Sequence, residues 1–412
     1  MTLRMTLRIG LLALCVAAAA ATATPAPLAA SSDLTTRLAK SLRSPHLPSA
    51  RTSAIAVDLA SGEVVFAYNE AIPSIPASNE KLPVSWAALS RLGPGYRFRT
   101  ELVGRGRRVG NTWQGDLVLR GYGDPTLSTG DVRRLAGAIR ARGITRVNGW
   151  IRGDESFFDT KRSVAGWKPH FLGLESAPLS ALVVDRADGW PKYAPPLLAA
   201  KLLRAALVER GVDVAGAAGL GRAPAEAVVL GVDHSASLAV LVGTMNRDSD
   251  NFTAEMVLKH LGTLDGRVGT TARGAAAVHD EMGAAGIPMT GVRIVDGSGL
   301  SSLDRLTAVA LVGVIRAGLE NPRIREAFLD SLAVSGRSGT LRNRLSALTG
   351  VLKGKTGTTN IACTLTGLVN DSVVFAVLQS GSPVAFWPAR IAQDSFVTTL
   401  AKSRFASAAT SP

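Results

Sequence analysis

Three short patterns place a hydroxyl beside a cation or an amide at spacings that suit acyl transfer: Ser78-Asn-Glu-Lys81, Ser249-Asp-Asn251 and Lys355-Thr-Gly357. A serine hydroxyl is a poor nucleophile at neutral pH and needs a base. Three residues on along a helix, Lys81 lies one turn away on the same face, within hydrogen-bonding reach. To accept a proton, Lys81 must lose several units of pKa, which desolvation and a second cation such as Lys355 both favour. Ser249 and Asn251 are two apart, so in a loop or extended turn both face one cleft, one relaying a proton and the other holding a substrate amide. Lys355-Thr356-Gly357 ends an apolar strand, where Gly357 lets a substrate backbone approach and Thr356 and Thr358 offer hydroxyls to a carboxylate. Each pattern also has a plain reading. Ser78 alone suits a helix N-cap with Lys81 reaching to solvent, Ser249 to Asn251 a polar loop, and Lys355 to Gly357 a strand end. Their order along the chain favours a common site.

Other chemistries find less support. Gly350-Val-Leu-Lys-Gly-Lys-Thr356 imitates a phosphate-binding loop, but three residues separate its glycines where four are required. Arg337-Ser338-Gly339 imitates Lys-Thr-Gly, yet continues into a helix-like stretch and suits a supporting role. The five histidines, His46, His170, His234, His260 and His279, show neither H-x-x-x-H nor H-x-H spacing, so no metal site and no cofactor are expected. A Ser-His-Asp triad would lack a Gly-x-Ser-x-Gly turn to anchor it.

These residues need a frame. Ser53 to Ala60 and Glu63 to Tyr68 read as a β-hairpin turning at Ser61-Gly62. A Pro-containing loop, Ala71 to Ala77, delivers Ser78 to the start of a helix that carries Trp86, Leu89 and Leu92 and stops at Gly93-Pro94. From about Thr100 to Ala236 the texture changes to short strands and turns, as in an inserted module. Ser237 to Leu261 reads as a helical pair broken around Arg247 to Asn251, followed by a helix from Val268 to Met282. Strands return at Gly350 to Lys355, Cys363 to Val369 and Val373 to Gln379, before a last helix from about Pro388 to Lys402. One sheet is thus assembled from both ends of the chain, with helices between.

The N-terminus sets the compartment. Arg4 and Arg8 precede an apolar run, Ile9 to Ala21, and then small residues, which fits a secretory signal peptide over residues 1–30 and an exported product. The run is too short to span a bilayer, so no stable transmembrane anchor is expected. Cys15 falls inside the signal. Cys363 alone survives processing, so no internal disulfide forms and the Ile361-Ala-Cys-Thr-Leu365 setting suits a packed strand. With 46 basic against 32 acidic residues, the chain suits an anionic envelope, although a solvated basic surface explains the excess equally well. Export, aromatics at 5% and the absence of any basic run denser than Arg105-Gly-Arg-Arg108 argue against nucleic acid.

With these residues in place the chain resembles the low-molecular-mass class C penicillin-binding proteins, the D-alanyl-D-alanine carboxypeptidase/endopeptidase family. Further likeness lies in Gly121-Tyr-Gly-Asp-Pro-Thr-Leu127, Met245-Asn-Arg-Asp-Ser-Asp-Asn251, Asp296-Gly-Ser-Gly-Leu-Ser301 and Ser335-Gly-Arg-Ser-Gly-Thr-Leu341. The resemblance covers nearly all of the mature chain. It implies an α/β (α+β) fold: a transpeptidase domain like that of penicillin-binding proteins and serine β-lactamases, with an antiparallel five-stranded sheet flanked by helices. Residues 31–100 and 237–412 would form that domain, and residues 101–236 an inserted, mainly-β or mixed one. Carried over residue by residue, Ser78 is acylated by the penultimate D-alanine carbonyl and Lys81 is its base. Ser249 and Lys355 pass the proton to the leaving D-alanine, and Asn251 positions substrate. Thr356, Gly357 and Thr358 bind it, and the backbone N–H groups of Ser78 and Thr358 form the oxyanion hole. The implied partners are peptidoglycan stem peptides, with β-lactams as acylating inhibitors, in a periplasmic or extracellular, wall-associated setting. Two other readings keep the same motifs: a serine β-lactamase, which would turn penicillin over rapidly, and a non-catalytic wall-binding protein, which would form no adduct. Asp124 suits a turn better than a contact with a cationic group of the stem peptide.

Overall fold

The computed structural model describes residues 32–189 and 194–403. The signal peptide expected over residues 1–30 lies outside them. Two sheets organise the chain. The first has six strands, all antiparallel, in the spatial order Ala333–Val334, Leu352–Thr358, Ala362–Val369, Val373–Ser380, Thr52–Asp58, Val64–Tyr68. The sixth strand, beyond the five expected, is the two-residue edge piece Ala333–Val334, too short to carry a period-2 signal.

The adjacent inner strands Thr52–Asp58 and Val373–Ser380 are buried almost end to end because helices cover both faces. Side chains alternate between those faces. Ile55, Val57, Val374 and Ala376 pack with Leu82, Trp86, Leu311 and Ile315 of the large helical layer. Ala54, Ala56, Phe375 and Val377 instead meet Leu34, Leu38, Phe396 and Leu400 from the helices Ser32–Leu42 and Phe386–Lys402. The expected helical pair is present as Leu238–Arg247 and Asn251–Leu261, followed by Thr271–Ala284.

Every strand of the second sheet lies between Arg99 and His234. Thr112–Gly121 is its centre, antiparallel to Arg99–Val109, which pairs antiparallel with Val228–His234 at one edge, and short parallel strands extend the sheet on the other side. Two helices that the strand-and-turn texture concealed, Thr129–Ala141 and Pro195–Glu209, pack over it through Val132, Leu135, Ile139, Leu203 and Leu207. The first is set by a capping box between Ser128 and Asp131 and the second by prolines at its opening positions. Among the described residues no helix is long and apolar enough to cross a membrane.

Candidate active site

The loop after Tyr68 returns the chain to the sheet, where Ala77–Glu80 makes a single 3₁₀ turn that runs into the α-helix Lys81–Leu92. Ser78 therefore stands on the tight turn ahead of the helix, and Ala77 before it has φ 46°, a conformation that an alanine adopts at a cost. Ser78 is half-buried, whereas Lys81 is fully buried. Lys81 Nζ donates to Ser78 Oγ at 3.1 Å, to Asn251 Oδ1 at 2.7 Å and to the carbonyl of Ser298 at 2.7 Å. Ser78, Lys81 and Asn251 of the second pattern thus meet at one nitrogen.

Ser249 occupies the break between two helices, also with positive φ (62°), while Asp250 caps the next helix by accepting from Thr253 N at 3.0 Å. Lys355 enters from the strand Leu352–Thr358, and its Nζ donates to Ser249 Oγ at 2.9 Å. Two hydroxyl–lysine pairs result, each with the hydroxyl at the surface of the cleft and the ammonium behind it.

Burial lowers the Lys81 pKa from 10.5 to about 8, against the pull of Asp296, Glu255, Asp250 and Glu80. Lys355 is held well below the usual lysine range, first by burial and then by repulsion from Lys81. Desolvation is the main cause in both. The mutual repulsion expected from the sequence acts on Lys355.

Packing gives Gly357 a reason of its own for being glycine. A Cβ there would lie 2.2 Å from Thr364 Oγ1 and 2.9 Å from both the Asn79 side chain and the Pro76 carbonyl. The missing side chain makes room for Thr364 of the neighbouring strand and for the loop that carries Ser78. Asn79 completes the join: with its amide satisfied at both ends it donates to the Lys355 carbonyl at 3.2 Å and accepts from Gly357 N–H at 3.3 Å. Thr356 Oγ1 donates to Thr340 Oγ1 at 2.8 Å, so the Ser335–Leu341 segment does support this strand. Thr358 is exposed at the strand's end.

Behind Lys81 lies a group of carboxyls that motif reading passed over. Asp296 accepts from the N–H groups of Gly299 and Ser301, both at 2.7 Å, and from the Trp167 indole, also at 2.7 Å. Glu255 accepts from Gly297 N at 3.0 Å and Ser298 N at 2.8 Å. Together they fold the Asp296-Gly-Ser-Gly299 loop so that the Ser298 carbonyl faces Lys81. Gly299, at φ 79°, passes so close that a Cβ would lie 1.8 Å from the Ala77 carbonyl. The other carboxyls have fewer donors: neither oxygen of Glu80 has a hydrogen-bonding partner among the described residues. A buried carboxylate without donors is costly, so the proton stays on. Glu80 is held well above the usual carboxylate range by burial and then by Asp296 and Glu255. Burial and Asp296 likewise push Glu255 to about 8, and burial, Asp296 and Glu80 push Asp304 to about 12. Asp296 was visible as part of a signature, and Glu80 sits inside the first pattern. Nothing in the local sequence ties Trp167 to Asp296, 129 residues away.

The segment between the first and second patterns closes the rim. Glu175 offers its carbonyl to Asn251 Nδ2 at 3.0 Å, Ala165 offers its carbonyl to Ser301 Oγ at 2.8 Å, and Arg186 pairs with Asp250. Asp124 accepts from Thr126 N–H at 2.8 Å and Thr126 Oγ1 at 2.7 Å, the turn expected of it. Cys363 is buried on its strand, where burial raises the thiol pKa. Among the described residues no histidine is bonded to Ser78. His260, buried between Tyr96, Phe98 and Phe157 with its pKa lowered by burial to about 4, belongs to an aromatic cluster. Among the described residues no cluster of three or more His, Cys, Asp or Glu side chains could hold a metal ion.

The pattern of the D-Ala-D-Ala carboxypeptidase 3 (S13) family matches residues 34–195 and 190–400, nearly all of the described chain. The chain belongs to that family. It is thereby a serine peptidase. A D-alanyl-D-alanine carboxypeptidase of Actinomadura sp. (strain R39) is 29% identical over 450 residues, covering 88% of this chain and 83% of its own. Carboxypeptidase DacB of Mycolicibacterium smegmatis is 30% identical over 374 residues, covering 84% of this chain and 78% of its own. Penicillin binding protein 4 from Haemophilus influenzae shares the fold: TM-score 0.80 at 18% identity, over 90% of this chain and 99% of that one. That protein has also been solved with a β-lactam bound (TM-score 0.71). The family match runs through the second sheet as well as the first, so the segment between the first and second patterns belongs to the family's architecture.

Proposed function

We propose that this exported, wall-associated peptidase releases terminal D-alanine from peptidoglycan stem peptides through an acyl-enzyme on Ser78. The observation that carries this reading is Lys81. Its Nζ touches Ser78 Oγ, forms no ion pair with a carboxylate among the described residues and is buried enough to shed its proton near neutral pH. In the acylation step, neutral Lys81 takes the Ser78 hydroxyl proton as Oγ attacks the penultimate D-alanine carbonyl. The backbone N–H groups of Ser78 and Thr358 receive the developing oxyanion; each such donor is typically worth about 3 kcal/mol. Collapse breaks the peptide bond, and a proton relayed through Lys355 and Ser249 goes to the departing D-alanine nitrogen. Asn251 aligns the peptide amide, while Thr356 and Thr358 hold the terminal carboxylate and Gly357 brings the strand up to it. Water then attacks the ester, freeing Ser78 and the shortened peptide.

Residues 31–100 and 237–412 form the catalytic domain in this reading, and residues 101–236 an inserted domain that borders the cleft. A β-lactam presents the same carbonyl with its leaving group tethered, so its acyl-enzyme on Ser78 is long-lived. The test is D-alanine release from a stem pentapeptide ending in D-Ala-D-Ala, with Ser78→Ala as control. Release by the parent chain and none by the variant is the expected result. Equal release by both would remove Ser78 from the reaction.

A further inference from the structure

The helices Ser32–Leu42 and Phe386–Lys402 cover the face of the catalytic sheet opposite the helix that follows Ser78. Their outer surface is unusual for a face in water. Trp387 is 64% exposed and Ile391 66% exposed, and at a four-residue spacing on one helix they lie side by side. The Arg390 guanidinium sits 5.6 Å from the Trp387 ring centre. Arg37, Lys40 and Arg43 of the neighbouring segment share with Ile391 a surface hollow of about 600 Å³. Of the nearby carboxylates, Asp33 pairs with Arg37 at 3.1 Å, and Asp394 is turned inward to Arg344 at 2.6 Å. The face therefore combines an exposed indole and a branched aliphatic side chain with an excess of cations.

We propose that this face docks peripherally on an anionic lipid surface. Trp387 and Ile391 enter the boundary between headgroups and acyl chains, where an indole satisfies both its ring and its N–H. Arg37, Lys40, Arg43 and Arg390 lie against the lipid phosphates. Apolar side chains alone would fit a protein partner equally well; the cationic surround favours the lipid. Because the helix that follows Ser78 packs on the other face of the sheet, docking leaves Ser78 free for substrate coming from the wall.

The test is co-sedimentation of the chain, as recovered from expressing cells, with phosphatidylglycerol vesicles and with phosphatidylcholine vesicles, beside the double variant Trp387→Ser/Ile391→Ser. Retention on the anionic vesicles should exceed that on the zwitterionic ones by at least tenfold and weaken in high salt. The double variant should lose at least tenfold while keeping the parent's rate of acylation by benzylpenicillin, which shows that it is folded. Equal retention of parent and variant, or no retention of either, overturns the proposal. So does a dimer of the parent that the double substitution converts to monomer in sedimentation velocity, since a second copy would then be the occupant.

Discussion

Two regions of this molecule bury lysines, and they treat the charge in opposite ways. At the seam between the two sheets, Lys259 is fully buried but its Nζ meets Asp159 Oδ1 at 2.6 Å and the Lys161 carbonyl at 3.1 Å, a conventional buried ion pair. In the cleft, Lys81 and Lys355 are equally buried, yet their partners are hydroxyls, an amide oxygen and backbone carbonyls. Burial lowers the Lys259 pKa too, but the Asp159 carboxylate pulls it back up, whereas neutral oxygens hold an ammonium proton less firmly. Under the proposed mechanism, a structural lysine and a base differ here in the acceptor each is given. The carboxyls nearest Lys81 are kept from becoming that partner: Asp296 is saturated by other donors, and Glu80 is held protonated.

That contrast breaks if the lysines prove interchangeable in their effects. Lys81→Met should lower the benzylpenicillin acylation rate about 10³-fold, within the usual range for loss of a positioned base, while Lys259→Met leaves it within about threefold. Stopped-flow or quenched mass measurements would read both. Asp159→Asn strands a buried charge and should cost about 3–5 kcal/mol in urea unfolding, and adding Lys259→Met should recover much of that. Should Asp159→Asn unfold like the parent, the seam is not an ion pair that matters.

The pH profile sharpens the comparison. In the proposed reaction Lys81 acts when neutral, and its pKa is lowered to about 8, so the acylation rate should climb about tenfold per unit on the acid side and level off above pH 8. Replacing Glu80 by Gln should have the smallest effect, leaving that midpoint within about 0.3 unit, because a protonated carboxyl and an amide present the same charge. A clear downward shift of the midpoint would mean that Glu80 is ionised and acts as a counter-ion.

Much of the site was legible because its chemistry is local. Ser78 and Lys81 lie within one turn, Ser249 and Asn251 within one loop, and Lys355 to Thr358 on one strand. The hairpin and the three late strands carried period-2 or continuous apolar patterns strong enough to read. What escaped depends on distance. Trp167 reaches Asp296 across 129 residues, and Asn79 binds a strand that begins more than 270 residues later. The fit around Gly357 is invisible without knowing that Pro76 and Thr364 stand against it. The helices Thr129–Ala141 and Pro195–Glu209 hid among turn-forming residues because packing on the second sheet, more than propensity, holds them.

The central claim is that Ser78 is the residue acylated. Incubation with benzylpenicillin, followed by intact mass over time and peptide mapping, tests it directly, with Ser78→Ala as the control. A stable single adduct on Ser78 that the variant lacks is the expected result. No adduct with intact drug would mean a non-catalytic binder, no adduct with hydrolysed drug a β-lactamase, and either would contradict the account.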